Sequence, residues 1–406
     1  MKPKAPKVLF VADEQKTHMT HANMKKPNFE IYLYFLLSTL ALSVALKSVW
    51  EMSPDDKITT AHGLLLFFLG GVYFTALYRL AQQCITGTDI GVRLLVKKYR
   101  FTQEDVLDIS NKIVSSMQAL FCCITGYVIW GHSCCKDVAR ANHYVSHAYS
   151  WFGAAYFFYD IWSMYKVHVS TPPGQLNTPS AQIHTPAAVR QGDAPLDCGL
   201  LRFWRYVKLN PIIVGHHLFI GIFGFSVIIY LKGNLGDCVF GFVFLMEAST
   251  PFVSLRGVLS RFHMKKSKLY IYNGFAMLIV FFLCRVAMFP YVMYLYAYSE
   301  KISYLDAIYS LPRGCKISIA ILMFPQIYWF YLMMKGATKI IINISTPKKT
   351  RNDLGGALGG NSIMADLPSA STTTPTNACH DFIGDLPTTP TTAASSSATS
   401  TGNKDD

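Results

Sequence analysis

The sequence has few charged residues. Asp, Glu, Lys and Arg make up 15% of its 406 residues, against about 25% in ordinary soluble domains, which disfavours a soluble enzyme. The chain also lacks a P-loop, the glycine fingerprint of a dinucleotide site and the ligand spacing of a zinc site. Hydrophobic residues make up 51% of the chain, although residues 346–406 are mostly small or polar. The apolar residues are therefore concentrated in the remainder.

Eight apolar stretches are candidates for membrane-spanning helices, because a helix rises about 1.5 Å per residue and the hydrocarbon core is about 30 Å thick. The first stretch has only 16 residues and no small-residue cleavage site. It is open to interpretation as a signal anchor, a spanning helix or an interfacial helix. The predicted fold is an all-α integral membrane protein with about eight transmembrane helices. The stretches are residues 31–46, 62–78, 113–130, 147–164, 212–231, 238–255, 271–297 and 317–334.

Lysine and arginine test this assignment, because the cytosolic loops of membrane proteins retain more of them than the opposite loops do. If the eight stretches alternate across the membrane, 28 of the 37 basic residues lie on one side and 8 on the other. This asymmetry predicts that both termini are cytosolic. It also explains the net charge of +13 without a nucleic-acid partner.

The domain organisation expected from these stretches has four parts. Residues 1–60 hold a cytosolic N-terminus and an extra membrane helix, residues 61–112 a further helix and a cytosolic loop, and residues 113–338 the core. Residues 339–406 are expected to form a disordered cytosolic tail, and residues 171–197 a flexible loop, because of their Thr, Pro and Ala content. Two interpretations of the Thr-Pro pairs in both regions stay open. They are phosphorylation sites for a kinase, or they are ordinary residues of a solvated linker.

The ten cysteines do not form a regular framework. Cys134, Cys135, Cys238 and Cys315 fall on the luminal side of the predicted topology, where an oxidising compartment permits a disulfide. Free thiols and a disulfide are equally open at these positions.

Three formal charges remain inside the eight stretches: Asp160, Glu247 and Arg285. Ionisable groups in a bilayer are costly unless they pair or face a cavity, so each is a candidate functional residue. The adjacent His216 and His217 join them. Counted along their helices, these side chains lie between the cytosolic face and the middle of the membrane, as one polar chamber open to the cytosol requires.

Helix geometry orders these candidates further. Neighbouring residues point about 100° apart, so only one of the two histidines faces the chamber squarely, and His217 is favoured because it shares a stripe with glycines. Glu247 has Thr250 and Ser254 on its own stripe, and Pro251 beside it removes a backbone donor and frees a carbonyl. No metal site is expected.

The structural alternatives stay open beside the functional ones. Glu247 and Arg285 form either a structural ion pair or part of a reactive site. Asp160 is either a hydrogen-bonded core acid or a partner of the histidines.

Eight motifs together carry a resemblance to a known family. They are Ser115-Ser116-Met117-Gln118-Ala119, Tyr159-Asp160-Ile161, His216-His217, Met246 to Phe252, Asn273-Gly274, Cys284-Arg285, Phe289-Pro290-Tyr291 and Pro325 to Phe330. The set resembles the TLC domain, the membrane domain shared by TRAM, Lag and CLN proteins, whose best-known enzymes are the ceramide synthases. The stretches between residues 113 and 334 resemble its six-helix barrel, in the short branch without a homeobox-like domain. Ceramide synthases carry two aspartates after the histidine pair, whereas Glu247 is the only acid in that region here.

This resemblance implies a protein of the endoplasmic reticulum or Golgi membrane engaged in sphingolipid synthesis or lipid homeostasis. The leading hypothesis is N-acyl transfer from a fatty acyl-CoA co-substrate to a sphingoid base, with no bound cofactor. A histidine would act as base or nucleophile, Glu247 or Asp160 would orient it, and Arg285 would stabilise an oxyanion or anchor the acids. The alternative is a non-enzymatic lipid-binding or regulatory membrane protein. Membrane lipids are the expected partners in both cases, and a homo-oligomer remains open.

Overall fold

A computed structural model describes residues 27–170, 199–233 and 236–345, and within those ranges every regular element is a helix. A short helical connection, Asp89–Gly91 and Val92–Lys97, lies between the second and third long helices. The prediction of an all-α protein is confirmed. The helices are α1 (Pro27–Val49), α2 (Thr60–Thr86), α3 (Gln103–Cys134), α4 (Tyr144–Ser170), α5 (Gly199–Leu209), α6 (Pro211–Leu231), α7 (Asp237–Arg261), α8 (Lys268–Glu300), α9 (Tyr304–Ser310) and α10 (Arg313–Ser345).

Seven of the described helices are long and apolar enough to cross a membrane: α1, α2, α3, α6, α7, α8 and α10. The first predicted stretch, residues 31–46, lies in a longer apolar helix of 21 residues, Phe29–Val49. The chain is therefore a multi-pass membrane protein. The predicted stretch 147–164 lies in α4, whose 27 residues reach about 40 Å but are less apolar. Its Ser146, Ser150 and Asp160 are buried and face other helices.

Local sequence signals set several helix starts. Thr102 and Asp105 form a capping box, in which each side chain accepts a hydrogen bond from the other residue's backbone N–H. Thr59 caps α2 by accepting from the His62 N–H. Pro211 occupies the first turn of α6, where its missing N–H has no partner to lose.

The long helices run in alternating directions and so define two ends of the bundle. At one end Gln83 Nε2 donates to Glu30 Oε2 over 2.6 Å, and the α5 residue Phe203 packs on Tyr165 of α4. This is the end with most of the basic residues, and we call it the basic end. At the other end Cys134 and Cys238 form a disulfide, and the Gly236 N–H donates to Ala139 O over 2.8 Å. We call it the disulfide end.

A buried aromatic cluster lies between α2 and α4. Phe74 is fully buried and its ring lies 5.5 Å from Phe152, 5.4 Å from Tyr156 and 6.4 Å from Tyr159. Gly70 lets the two helices approach, because a Cβ there would overlap the Phe152 carbonyl oxygen. The backbone of α4 is therefore held firmly where it carries Asp160.

Several expected regions fall outside the described residues. These are the N-terminal segment before Pro27, the loop at 171–197 and the tail from residue 346 onward, with all of the Thr-Pro pairs of the loop and the tail. Helix α10 continues to Ser345, seven residues beyond the expected end of the core at residue 338.

Candidate functional site

The structure brings His217 of α6 and Asp160 of α4 together. His217 Nε2 lies 2.7 Å from Asp160 Oδ2. The other ring nitrogen, Nδ1, lies 2.9 Å from the backbone oxygen of Ile213, one turn earlier in α6. Gly221, one turn later in α6, lets α4 approach closely, because a Cβ there would lie 3.0 Å from Phe157 Cβ and 3.5 Å from its ring.

Besides His217, two side chains contact the carboxylate of Asp160. Asn111 Nδ2 donates to Asp160 Oδ1 over 2.8 Å, and Ser163 Oγ lies 3.4 Å from the same oxygen. Asn111 Oδ1 in turn accepts from Tyr159 OH over 3.1 Å and from Ser163 Oγ over 2.7 Å. Asp160 is 5% exposed and Asn111 is 3% exposed, so this network is closed to solvent.

The hydrogen-bond pattern occupies both ring nitrogens of His217. A carbonyl oxygen only accepts, so Nδ1 donates to Ile213 O. The contact between Nε2 and Asp160 Oδ2 holds one further proton between the ring and the carboxyl group. Neither nitrogen is therefore left for a bond to another molecule.

His216 has a different environment. Its ring lies edge-on to Trp329 of α10, with 5.0 Å between the ring centroids, and 5.6 Å from the His217 ring. Within the described part of the chain it makes no hydrogen bond. Of the two histidines, it is therefore the one with a nitrogen lone pair available.

A second network joins α7, α8 and α10 around Arg285. Its Nη2 lies 3.2 Å from Glu247 Oε1 and 3.2 Å from Thr250 Oγ1. Thr250 Oγ1 also lies 2.6 Å from Glu247 Oε2, where the hydroxyl donates. The remaining acceptors of Arg285 are Met246 O at 2.9 Å, Ser249 Oγ at 2.8 Å and Gln326 Oε1 at 3.4 Å.

Departures from regular α-helix position both partners. Glu247 lies in a 3₁₀ turn, Met246–Ser249, and Thr250 donates its N–H to Glu247 O rather than to Met246 O. Pro251 explains this shift, because it lacks the N–H that would otherwise bond to Glu247 O. Arg285 lies in a π-helical segment, Phe282–Ala287, a feature frequent at functional sites.

The two networks lie within electrostatic range of each other. His216 connects them, because its ring lies 5.6 Å from His217 and 5.0 Å from Trp329, three residues after Gln326 in α10. The predicted site residues thus lie in one region, where they form two separate hydrogen-bond networks. Ser254 is buried at 3% exposure, yet it makes no hydrogen bond to Glu247 among the described contacts. The described residues contain no cluster of three or more His, Cys, Asp and Glu side chains that could hold a metal ion.

Sequence reasoning missed one charged cluster near the site. Arg261 Nε lies 2.8 Å from Asp108 Oδ2, and its Nη1 lies 2.9 Å from both Glu104 Oε1 and Asp105 Oδ1. All four side chains are buried. These residues were predicted to lie in polar loops. An apolar stretch ends at its first charged residues, even where the helix itself continues.

The disulfide end carries a further buried pair. Lys232 bonds to Asp237, and Asp237 Oδ2 accepts from the His143 backbone N–H over 2.6 Å. Burial lowers the pKa of Lys232 although Asp237 opposes the shift, and burial also lowers the pKa of His143. With the Cys134–Cys238 bond, these contacts fix the start of α7 to the end of α3.

Comparisons with known proteins agree with this architecture. The TLC domain family matches residues 108–335. TLC domain-containing protein 4-A of Xenopus laevis is 28% identical over 155 residues, which is 38% of this chain and 58% of the relative. TLC domain-containing protein 4 of Homo sapiens is 26% identical over 157 residues, with the same two shares. The chain thus spans less than two thirds of these relatives, and no solved structure matches it. Because the family match covers more than half of the sequence and the six-helix region around both networks, the chain belongs to the TLC domain family.

Proposed function

We propose that this protein binds membrane lipids and regulates lipid composition without catalysing acyl transfer. The observation that carries the proposal is the pairing of His217, whose two ring nitrogens both face acceptors, Asp160 Oδ2 and Ile213 O. A general base needs a free lone pair within hydrogen-bond reach of the substrate proton. Here neither ring nitrogen is left for a bond to another molecule.

The state of Arg285 supports the same conclusion. Of its five N–H donors, Nε and Nη2 are fully engaged and Nη1 already bonds to Gln326. An oxyanion hole needs donors aimed at an empty position where charge develops. Arg285 retains at most one such N–H, so its main role is to hold α7, α8 and α10 together.

The lipid assignment rests on the family. TLC domain proteins include lipid-related membrane proteins, and this chain shares the helical core. Location in the endoplasmic reticulum or Golgi membrane, with both termini cytosolic, is part of the proposal. Its support is the distribution of basic residues between the two ends.

A mass-spectrometric experiment on the purified full-length protein tests this function. The protein is incubated with a fatty acyl-CoA and a sphingoid base, and both ceramide formed and lipid retained are measured. We expect retained lipid and no ceramide above a control without protein. Ceramide that forms in proportion to the protein would contradict the proposal.

Acyl transfer remains the second candidate, and His216 is the observation that favours it. Its ring makes no hydrogen bond within the described residues and lies 5.0 Å from Trp329. If ceramide forms, His216→Ala should reduce the rate by at least about a hundredfold, the scale of losing a general base. His62→Ala is the matched control, because His62 bonds to Ser48 between α1 and α2, outside both networks. Equal activity in the two variants would exclude histidine chemistry at this position.

A further inference from the structure

Helix α5 lies directly before the spanning helix α6, and all of its charged residues are basic. It reads Gly-Leu-Leu-Arg-Phe-Trp-Arg-Tyr-Val-Lys-Leu, with three basic residues and no acidic one in 11 residues. We propose that α5 lies in the plane of the membrane surface and binds the phosphate groups of anionic lipids in that leaflet. This proposal does not depend on whether the protein transfers an acyl chain.

One face of α5 is attached to the bundle. Tyr206 is buried at 4% exposure, and its ring lies 5.7 Å from Tyr165 and 5.2 Å from His168 of α4. Phe203, one turn earlier, lies 5.2 Å from Tyr165. These contacts fix the rotation of α5 about its axis, and so they fix which residues face outward.

The outward apolar residues form a strip that no described helix covers. Leu200 is 75% exposed, Leu201 52% and Trp204 56%. Leu200 and Trp204 are four residues apart and therefore lie on the same side of the helix. Exposed tryptophan and leucine beside a basic face are typical of a helix buried shallowly at the headgroup boundary.

The basic residues form a second strip beside the apolar one. Arg202, Arg205 and Lys208 recur every three residues, which places them on neighbouring positions of the helix surface. Lys208 Nζ lies 5.9 Å from the centre of the Trp204 ring, so the two strips meet at this pair. The arrangement directs the apolar strip toward acyl chains and the basic strip toward lipid phosphates.

The connection to α6 explains why this surface matters for the site. The helix breaks at Asn210, with φ −125° and ψ 52°, and α6 starts at Pro211. His216 and His217 follow about one and a half turns later, roughly 8 Å along the helix axis. A lipid-bound α5 therefore holds the start of α6 at the surface and fixes the depth of both histidines.

Lipid-specific quenching of Trp204 tests the proposal on the full-length protein in nanodiscs. Brominated phosphatidylserine and brominated phosphatidylcholine are compared at equal fractions, and the Trp204 signal is the difference from Trp204→Phe. We expect a preference of at least about fivefold for the anionic lipid, the scale of one basic residue near a charged surface. The preference should fall close to one in Arg202→Gln/Lys208→Gln, which neutralises the two exposed basic residues of α5.

The matched control removes the same charge at the other end of the bundle. Lys57→Gln/Arg313→Gln changes one exposed lysine and one exposed arginine at the disulfide end and should keep the preference. Equal quenching by both lipids in the wild type, or an unchanged preference in the α5 variant, would overturn the proposal. Loss of the preference when inorganic phosphate is added would also overturn it, because the ligand would then be a free phosphate.

Discussion

At the scale of single residues, the buried charges of this protein bind one another. Asp160 is bonded to His217 and Asn111, and Glu247 to Arg285 and Thr250. Charges inside a membrane protein are costly unless they pair in this way. The same pairing limits their chemistry, because both ring nitrogens of His217 and every oxygen of the two carboxylates already have a partner within the protein.

The Arg285 network gives a stability prediction. Arg285→Met should lower the free energy of unfolding by about 3 kcal/mol, the low end of the cost of breaking a buried ion pair, because the half-buried Glu247 loses its cation. Glu247→Gln should cost about 1–2 kcal/mol, since an amide oxygen still accepts from Arg285. The double variant should recover less than half of the Arg285→Met loss, because Met246 O, Ser249 and Gln326 still lack their donor.

Thermal and denaturant unfolding in nanodiscs measures these differences. Arg140→Met is the control, because the Arg140 side chain is 71% exposed and exposed ion pairs contribute only about 0–1 kcal/mol. Full recovery in the double variant would show an isolated ion pair instead of a network.

The sequence predicted the charged members of the site and the neighbouring Thr250, but not the neutral partners of Asp160. Asp160, Glu247 and Arg285 stand out, because a charge in an apolar stretch is rare. Asn111 and Ser163 do not, since uncharged polar residues are common at helix ends and helix contacts. The partners of Asp160 depend on which helices are adjacent, and adjacency is a property of the folded chain.

At the scale of helices, glycine sets the distance between α2 and α4. A Cβ on Gly70 would overlap the backbone oxygen of Phe152, whereas a Cβ on the adjacent Gly71 would meet nothing within 4 Å. Gly70→Ala should destabilise the protein by about 1–3 kcal/mol, because the helices must separate. Gly71→Ala should be neutral or stabilise by about 0.5–1 kcal/mol, because alanine favours helix.

Both variants add one methyl group to α2, at adjacent residues. The difference between their free energies of unfolding therefore measures the effect of the contact with α4. Equal effects of both substitutions would show that α2 and α4 do not touch at Gly70.

Helix lengths were less predictable than helix positions. Helix α3 begins at Gln103, ten residues before the predicted stretch at 113–130, and α7 ends at Arg261, six residues after the stretch at 238–255. Both extensions carry the charges of the Arg261 cluster. A prediction from hydropathy alone places the end of a helix at its first charged residues. Here the ion pairs of those residues allow both helices to continue inside the bundle.

At the scale of the whole molecule, the question is which end of the bundle faces the cytosol. The sequence assigns 28 of 37 basic residues to one side, and the disulfide lies at the opposite end. Disulfides persist in oxidising compartments, and basic loops stay in the cytosol. The two independent features therefore favour the same orientation, with the disulfide end in the lumen.

This orientation predicts the accessibility of the termini. If α4 spans the membrane together with the seven apolar helices, tags at both termini should be cut by protease added from the cytosolic side of sealed microsomes. The Cys134–Cys238 bond should stay protected from a membrane-impermeant reductant under the same conditions. A protected N-terminal tag beside an accessible C-terminal tag would show that one of the eight helices does not cross.

The central claim of the account is that His217 is a charged, fully bonded partner of Asp160 and not a free base. Nitrogen-15 NMR of histidine-labelled protein in nanodiscs tests it most directly, with His217→Gln identifying the two resonances. We expect both ring nitrogens of His217 to be protonated at neutral pH, and the charged form to be lost in Asp160→Asn. A deprotonated Nε2 in the wild type would contradict the claim and return His217 to the candidates for a catalytic base.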